Sequence, residues 1–102
     1  MVARSTRHAS IKPTHPGELL GSVIIPATGR SKTEIAQLLR VSRQTLYDII
    51  AGRQAVTPTM AVRLGKLFGN GAMLWVRMQS AHDVWLAERE VDISEIPTLK
   101  AA

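Results

Sequence analysis

Residues 31–52, SKTEIAQLLRVSRQTLYDIIAG, restrict the possible fold more than any other part of the chain. Ser31 is followed three residues on by Glu34, the pattern of a capping box. In that motif the hydroxyl takes the N3 amide and the carboxylate reaches back to the cap. Ile35, Ala36, Leu38 and Leu39 continue at helical spacing. Ser42 opens a second helix from Arg43 to Ala51, with Leu46, Ile49 and Ile50 as its apolar positions. Gly52 is suited to the left-handed C′ position that ends it. The joint is a turn of about three residues, short enough for the second helix to cross the first steeply. Ala36 is small where the two would approach. Leu39, Val41, Leu46 and Ile49 supply the apolar wedge between them.

The same punctuation organises the rest of the chain. His15-Pro16-Gly17 reads as a turn, with His15 satisfying a helix terminus and Pro16 suited to a first helical position. Glu18 to Ile25 then forms a short amphipathic helix that offers Leu19, Leu20, Val23 and Ile24 to a core, and Pro26 is expected to stop it. Thr57-Pro58 opens a further helix closed by Gly69, with Met60, Ala61, Leu64, Leu67 and Phe68 apolar. Asn70 is the expected cap of the longest helix, roughly Gly71 to Glu90. Pro97 breaks any regular helix beyond it. No strand-period alternation persists, so the expected class is all-α with five helices. The expected organisation is a flexible basic arm over 1–14, a helical domain over 15–90 and a tail over 91–102.

Charge divides the chain. The net charge of +5 resolves into +7 over residues 1–66 and −3 over residues 83–102, with Arg77 between them. The basic part suits a polyanion, and an acidic end suggests a second surface with a second partner. Without cysteine the chain has no disulfide framework or thiolate metal site, which fits a reducing, cytoplasmic setting. No apolar run approaches the ~20 residues of a membrane span, and no secretory signal precedes the first helix. His8, His15 and His82 do not form a ligand set by spacing, and nothing orients a Ser-His-Asp triad. No phosphate-cradling glycine motif occurs. Neither a metal nor a cofactor nor an enzymatic activity is expected.

The outer face of the second helix has the chemistry of base reading. Arg43 can make a bidentate contact with guanine O6 and N7, and Gln44 with adenine N6 and N7. Both sit in the first turn, where a recognition helix presents its side chains to base edges. Tyr47 and Asp48 continue that face. Asp48 either accepts from cytosine N4 or pairs with a nearby arginine. Ser42, Thr45 and the free amides at the helix start are suited to phosphate, as are Lys32 at the head of the preceding helix and Arg53 just past this one.

These residues resemble the Xre/Cro-type (lambda-repressor-like) helix-turn-helix. More narrowly, residues 15–86 are similar to the HigA (VapI-like) antitoxins of bacterial toxin–antitoxin pairs. HPGELL at 15–20, the joint AVTPTMAVRL and the W-x-x-x-Q-x-x-x-D-x-W pattern of Trp75, Gln79, Asp83 and Trp85 carry this narrower likeness. The resemblance implies a homodimer that binds operator DNA to repress its own operon. It also implies a partner, a RelE-like ribonuclease toxin that cleaves mRNA. A free-standing Xre-family repressor without a toxin is the alternative. One departure stands out: the family usually has glycine in the turn, and this chain has Arg40. A left-handed residue there costs an arginine roughly 1 kcal/mol, so the turn either bears that strain or takes another conformation.

The longest helix carries more apolar surface than one small core requires. Part of it, with Trp85 and Leu86 foremost, is expected at a homodimer contact in the C-terminal region.

Overall fold

The computed structural model describes residues 11–100; residues 1–10, most of the expected basic arm, lie outside that range. Five helices succeed one another, with no strand among the described residues. Helix α1 consists of an α-turn Pro16–Leu19, a π-helical turn Leu20–Ile24 and a second α-turn Ile25–Thr28. Then come α2 (Lys32–Leu39), α3 (Arg43–Ile50), α4 (Pro58–Phe68) and α5 (Ala72–Glu90).

Pro26 does not stop α1. The helix runs on to Thr28 and ends at Gly29 with φ 70°. Proline inside an α-helix lacks a donor and clashes with the carbonyl one turn back. Here the preceding turn is widened, and the Ile25 N–H reaches back five residues to the Leu20 carbonyl. Widening adds in effect one residue to the turn and rotates the next turn about the helix axis. Val23, expected in the core, is therefore exposed, and Ile25 is buried in its stead.

The caps explain most helix starts. His15 Nδ1 accepts from the Gly17 N–H at 2.9 Å, with Pro16 at the first helical position. Ser31 Oγ accepts from Glu34 N–H, Ser42 Oγ from Thr45 N–H and Thr57 Oγ1 from Met60 N–H, at 3.1, 3.0 and 3.2 Å. The capping box at α2 is only half made. The Glu34 carboxylate pairs with Arg30 one turn back, a charged donor that competes with the neutral cap amide. Asn70 does not cap α5 either. Its Oδ1 accepts from Trp75 Nε1 at 3.0 Å, and Gly71, at φ 78°, leads into the helix. This joint requires Gly65 in α4, because a Cβ there would stand 2.3 Å from the Gly71 carbonyl carbon.

The core is Leu20, Ile25, Ile35, Ala36, Leu39, Leu46, Ile49, Val56, Met60, Ala61, Leu64 and Trp75. Leu39, Leu46 and Ile49 of the wedge are buried and Val41 half-buried. Ala36 is 1% exposed, as a close helix approach requires. The start of α1 rests on the end of α3: a Cβ on Gly17 would lie 1.7 Å from the Ile49 carbonyl oxygen. Helix α5 packs along α4 at its N-terminal end, and farther on His82 meets the Pro13 carbonyl and the His15 ring. Only Trp75 and Gln79 are fully buried on it, and the described chain extends 51 × 25 × 23 Å.

Candidate nucleic-acid interface

The turn between α2 and α3 fixes how α3 is presented. Arg40 takes the left-handed conformation, φ 63° and ψ 40°, which resolves the question its identity raised. Its N–H bonds the Gln37 carbonyl and the Val41 N–H bonds the Ala36 carbonyl, both at 3.1 Å. This is a Schellman closure with arginine where glycine is usual. Arg63 of α4 donates from Nη1 to the Leu39 carbonyl at 2.9 Å, so the end of α2 is also tied to α4.

With its inner face bound, α3 turns its first helical turn outward. Ser42, Arg43, Gln44 and Tyr47 are exposed, and Thr45 and Asp48 are half-buried. Ser42 Oγ, besides capping, lies 2.9 Å from Thr45 Oγ1 and donates to it, leaving the Thr45 hydroxyl hydrogen free to turn outward. Lys32, at the start of α2, holds its Nζ 5.9 Å from the Tyr47 ring centroid, so the heads of the two helices meet at one surface. Arg43 is exposed and makes no salt bridge among the described residues.

Within the single chain, Asp48 is paired with an arginine, one of the two roles expected of it. Its Oδ1 accepts from Arg53 Nη2 at 2.8 Å and Nε at 3.2 Å, and from Gln44 Nε2 at 2.9 Å. The hydrogen bonds from Arg53, and after it from Gln44, hold its carboxyl below the usual carboxylate range. The Asp48 main-chain carbonyl also accepts from the N–H groups of Arg53 and Gln54 at 2.8 and 3.1 Å. Arg53 therefore stands beside α3, not free in the loop beyond it. The eight residues singled out for nucleic acid thus fall into two groups on one surface. Lys32, Ser42, Arg43, Thr45 and Tyr47 gather at the helix heads, and Gln44, Asp48 and Arg53 form a bonded chain alongside.

Sequence reasoning missed the tie behind this surface. Gln79 is buried; its Oε1 accepts from the Val56 N–H at 2.7 Å, and its Nε2 donates to Asp83 Oδ1 at 2.9 Å. The loop that carries Arg53 is thereby anchored to α5. The signals available were the one-turn spacing of Gln79 and Asp83 and their place in the pattern from Trp75 to Trp85.

Near the other end of α5, Trp85 and Leu86 are half-buried within the single chain. The Arg89 guanidinium lies 3.5 Å from the Trp85 ring centroid, and Lys12 Nζ 5.9 Å from it. In this region Val84, Val91, Ile93, Ile96 and Leu99 are widely exposed, at 54 to 86%. Val84, Ala87, Glu88, Val91 and Ile93 line one open groove between α5 and the tail. Residues 91–100 have no helix and are exposed throughout. No helix among the described residues is long and apolar enough to cross a membrane.

Residues 3–72 match the family described as helix-turn-helix domain. Virulence-associated protein I of Dichelobacter nodosus is 34% identical over 76 residues, 74% of this chain and 70% of that protein. Among solved structures, an addiction module antidote protein of the HigA family from Coxiella burnetii superposes with a TM-score of 0.79. It is 27% identical and covers 88% of this chain and 100% of that one. Pseudomonas aeruginosa PA4674, solved in complex with its 18-bp operator DNA, also gives 0.79, with 32% identity, 87% of this chain and 99% of that one.

Proposed function

The chain belongs to the helix-turn-helix family of HigA and VapI-like antitoxins, a family of regulators and not of enzymes, and we propose that it is a DNA-binding antitoxin that represses its own operon. The observation that carries this reading is the outer face of α3. Arg43, Gln44 and Tyr47 stand exposed on a helix whose inner face is wholly committed to the core, beside Lys32. In this reading Arg43, Gln44, Tyr47 and Asp48 face the bases, while Lys32, Ser42, Thr45 and Arg53 hold phosphates. Residues 15–90 are the DNA-binding domain and 91–102 a separate tail.

A twofold dimer would set two copies of α3 roughly 34 Å apart, one helical turn of a palindromic operator. Trp85 and Leu86 remain the proposed centre of that dimer. The exposed Val84, Val91 and Ile93 continue it onto the tail. The second partner is a RelE-like ribonuclease toxin, which the antitoxin neutralises by binding it.

Two measurements test the proposal. Fluorescence anisotropy of the full chain with duplex DNA from its own promoter should show binding that weakens steeply with salt. Arg43→Ala should weaken it by ~1–3 kcal/mol and relax sequence preference. Equal binding of wild type to promoter and scrambled duplex sinks the repressor reading. Capture of the chain tagged at its own locus, followed by mass spectrometry, should recover a stoichiometric small basic protein. Recovery of the chain alone, still bound to its promoter, favours a free-standing repressor.

A further inference from the structure

The bond from Gln44 to Asp48 has a consequence for which base Gln44 reads, on the reading of α3 as the base-contacting helix. Asp48 Oδ1 accepts from Gln44 Nε2 and from two nitrogens of Arg53. The carboxyl is ionised at neutral pH as carboxylates ordinarily are, and those donors hold its pKa lower still. An ionised carboxylate has no proton to give, and the only end of a glutamine amide that can meet it is the NH2. Turning the amide over would set Gln44 Oε1 against the Asp48 oxygen, two acceptors face to face. The orientation is therefore fixed by charge, and Oε1 points away from Asp48 with the second N–H of Nε2 still free.

A glutamine whose amide is free to turn can serve two purines. With Oε1 and an N–H presented side by side it matches adenine, which offers the N6 donor next to the N7 acceptor. Guanine offers two acceptors, O6 and N7, and is served only when the NH2 alone is presented. With the NH2 engaged by Asp48 and Oε1 held outward, guanine O6 would meet Gln44 Oε1. We propose that Asp48 is a positioning residue that locks the Gln44 carboxamide and so makes Gln44 select adenine against guanine at one position of each half-site. Arg53 serves the same end, because its guanidinium holds the Asp48 carboxylate in place.

The experiment is a selection from a randomised duplex library with full-length wild type, Gln44→Ala, Asp48→Asn and Asp48→Glu, and then competition titrations at fixed salt. Gln44→Ala identifies the position. There wild type should prefer adenine to guanine by roughly 5- to 100-fold. Asp48→Asn presents both a donor and an acceptor to Gln44, so the preference at that position should fall to within about 3-fold, with the other positions unchanged. Asp48→Glu retains a carboxylate and should keep most of the preference. A ratio of affinities for two duplexes is indifferent to how much of a variant is folded, so lost stability cannot imitate the result. An unchanged adenine preference in Asp48→Asn overturns the inference, and so does an even loss across all positions. If wild type selects no sequence at all, it is the base-reading role of α3 that fails, an outcome distinct from either.

Discussion

Gln79 is the one buried polar side chain among the described residues, tying α5 to the loop after α3, and replacing it by methionine measures what that tie contributes. Methionine is unbranched and close in volume, so packing around Trp75 and Val56 is largely kept. What is lost is the pair of hydrogen bonds. The Val56 N–H, in a residue 3% exposed, is left without its 2.7 Å acceptor. A buried donor stranded in this way costs ~1–3 kcal/mol. The second bond, to Asp83, faces solvent and contributes less. The expected loss is therefore about 2 kcal/mol, set mainly by Val56. For a domain of this size that lowers the melting temperature by roughly 8–16 °C. Urea and thermal unfolding monitored by circular dichroism, at one fixed protein concentration, give the number; Asp83→Ala is the control and should cost less than ~1 kcal/mol. A Gln79→Met variant within ~0.5 kcal/mol of wild type would refute the reasoning, since the stranded donor would then have cost nothing. A loss in Asp83→Ala as large as in Gln79→Met would move the tie to the wrong bond.

Arg40→Gly should stabilise the fold by about 1 kcal/mol in urea unfolding, because it relieves a side chain held at φ 63°; destabilisation would mean that the arginine makes a contact worth more than the strain. Gly17→Ala should cost at least ~2 kcal/mol by the same measurement, as α1 must lift off the Ile49 carbonyl; a wild-type midpoint would show that α1 shifts freely. His15 caps α1 through an unprotonated Nδ1, and burial, then the charge of His82, lowers its pKa from 6.5 against a smaller opposing pull from Asp83. The unfolded chain thus takes up this proton at a higher pH than the folded one. The contribution is complete above pH 6.5 and is lost as pH falls through the lowered folded value. Urea midpoints should drop as the pH is taken down through this range, and His15→Asn, which can still cap, should flatten the drop; an equal slope in both proteins would assign it to another group.

The helix-turn-helix unit was legible because its signals are local. Ser31, Ser42 and Thr57 are caps that act within one turn, and Gly52 and Gly69 take the left-handed conformations their positions suggested. The outward face of α3 came from helical periodicity once Leu46 and Ile49 were assigned to the core. Local rules failed where a distant or stronger partner intervened. A widened turn accommodated Pro26, Arg30 drew Glu34 from its capping box, and the indole of Trp75 drew Asn70 from the cap of α5. The anchoring of Val56 by Gln79 spans 23 residues, and no short pattern announces it. Trp85 and Leu86 looked like spare apolar surface by count. Both are half-buried in the single chain, and Arg89 and Lys12 stand over the Trp85 ring, a packing that composition does not reveal.

An isolated helix of eight residues is not stable in water, so α3 owes its shape to its surroundings. Three other elements hold it, and each acts away from its outer face. Helix α1 abuts its C-terminal end through Gly17, against the Ile49 carbonyl, and Gly21, against the Ile50 side chain. The end of α2 delivers its first residue through the Arg40 turn, braced by Arg63. The loop that leaves it is pinned to α5 through Val56 and Gln79. Apart from Ser42, which caps α3, and the Asp48 cluster, which bonds Gln44 to Arg53 on the surface itself, the side chains on the exposed face are thereby spared any structural duty. Substitutions that change sequence preference should therefore cluster on Arg43, Gln44, Tyr47 and Asp48, and those that lower all binding together should fall on the supporting contacts. The exception at Asp48 is informative. The Asp48 carboxylate bonds Gln44 and Arg53, so an effect there confined to the base that Gln44 reads acts through the side chains it holds.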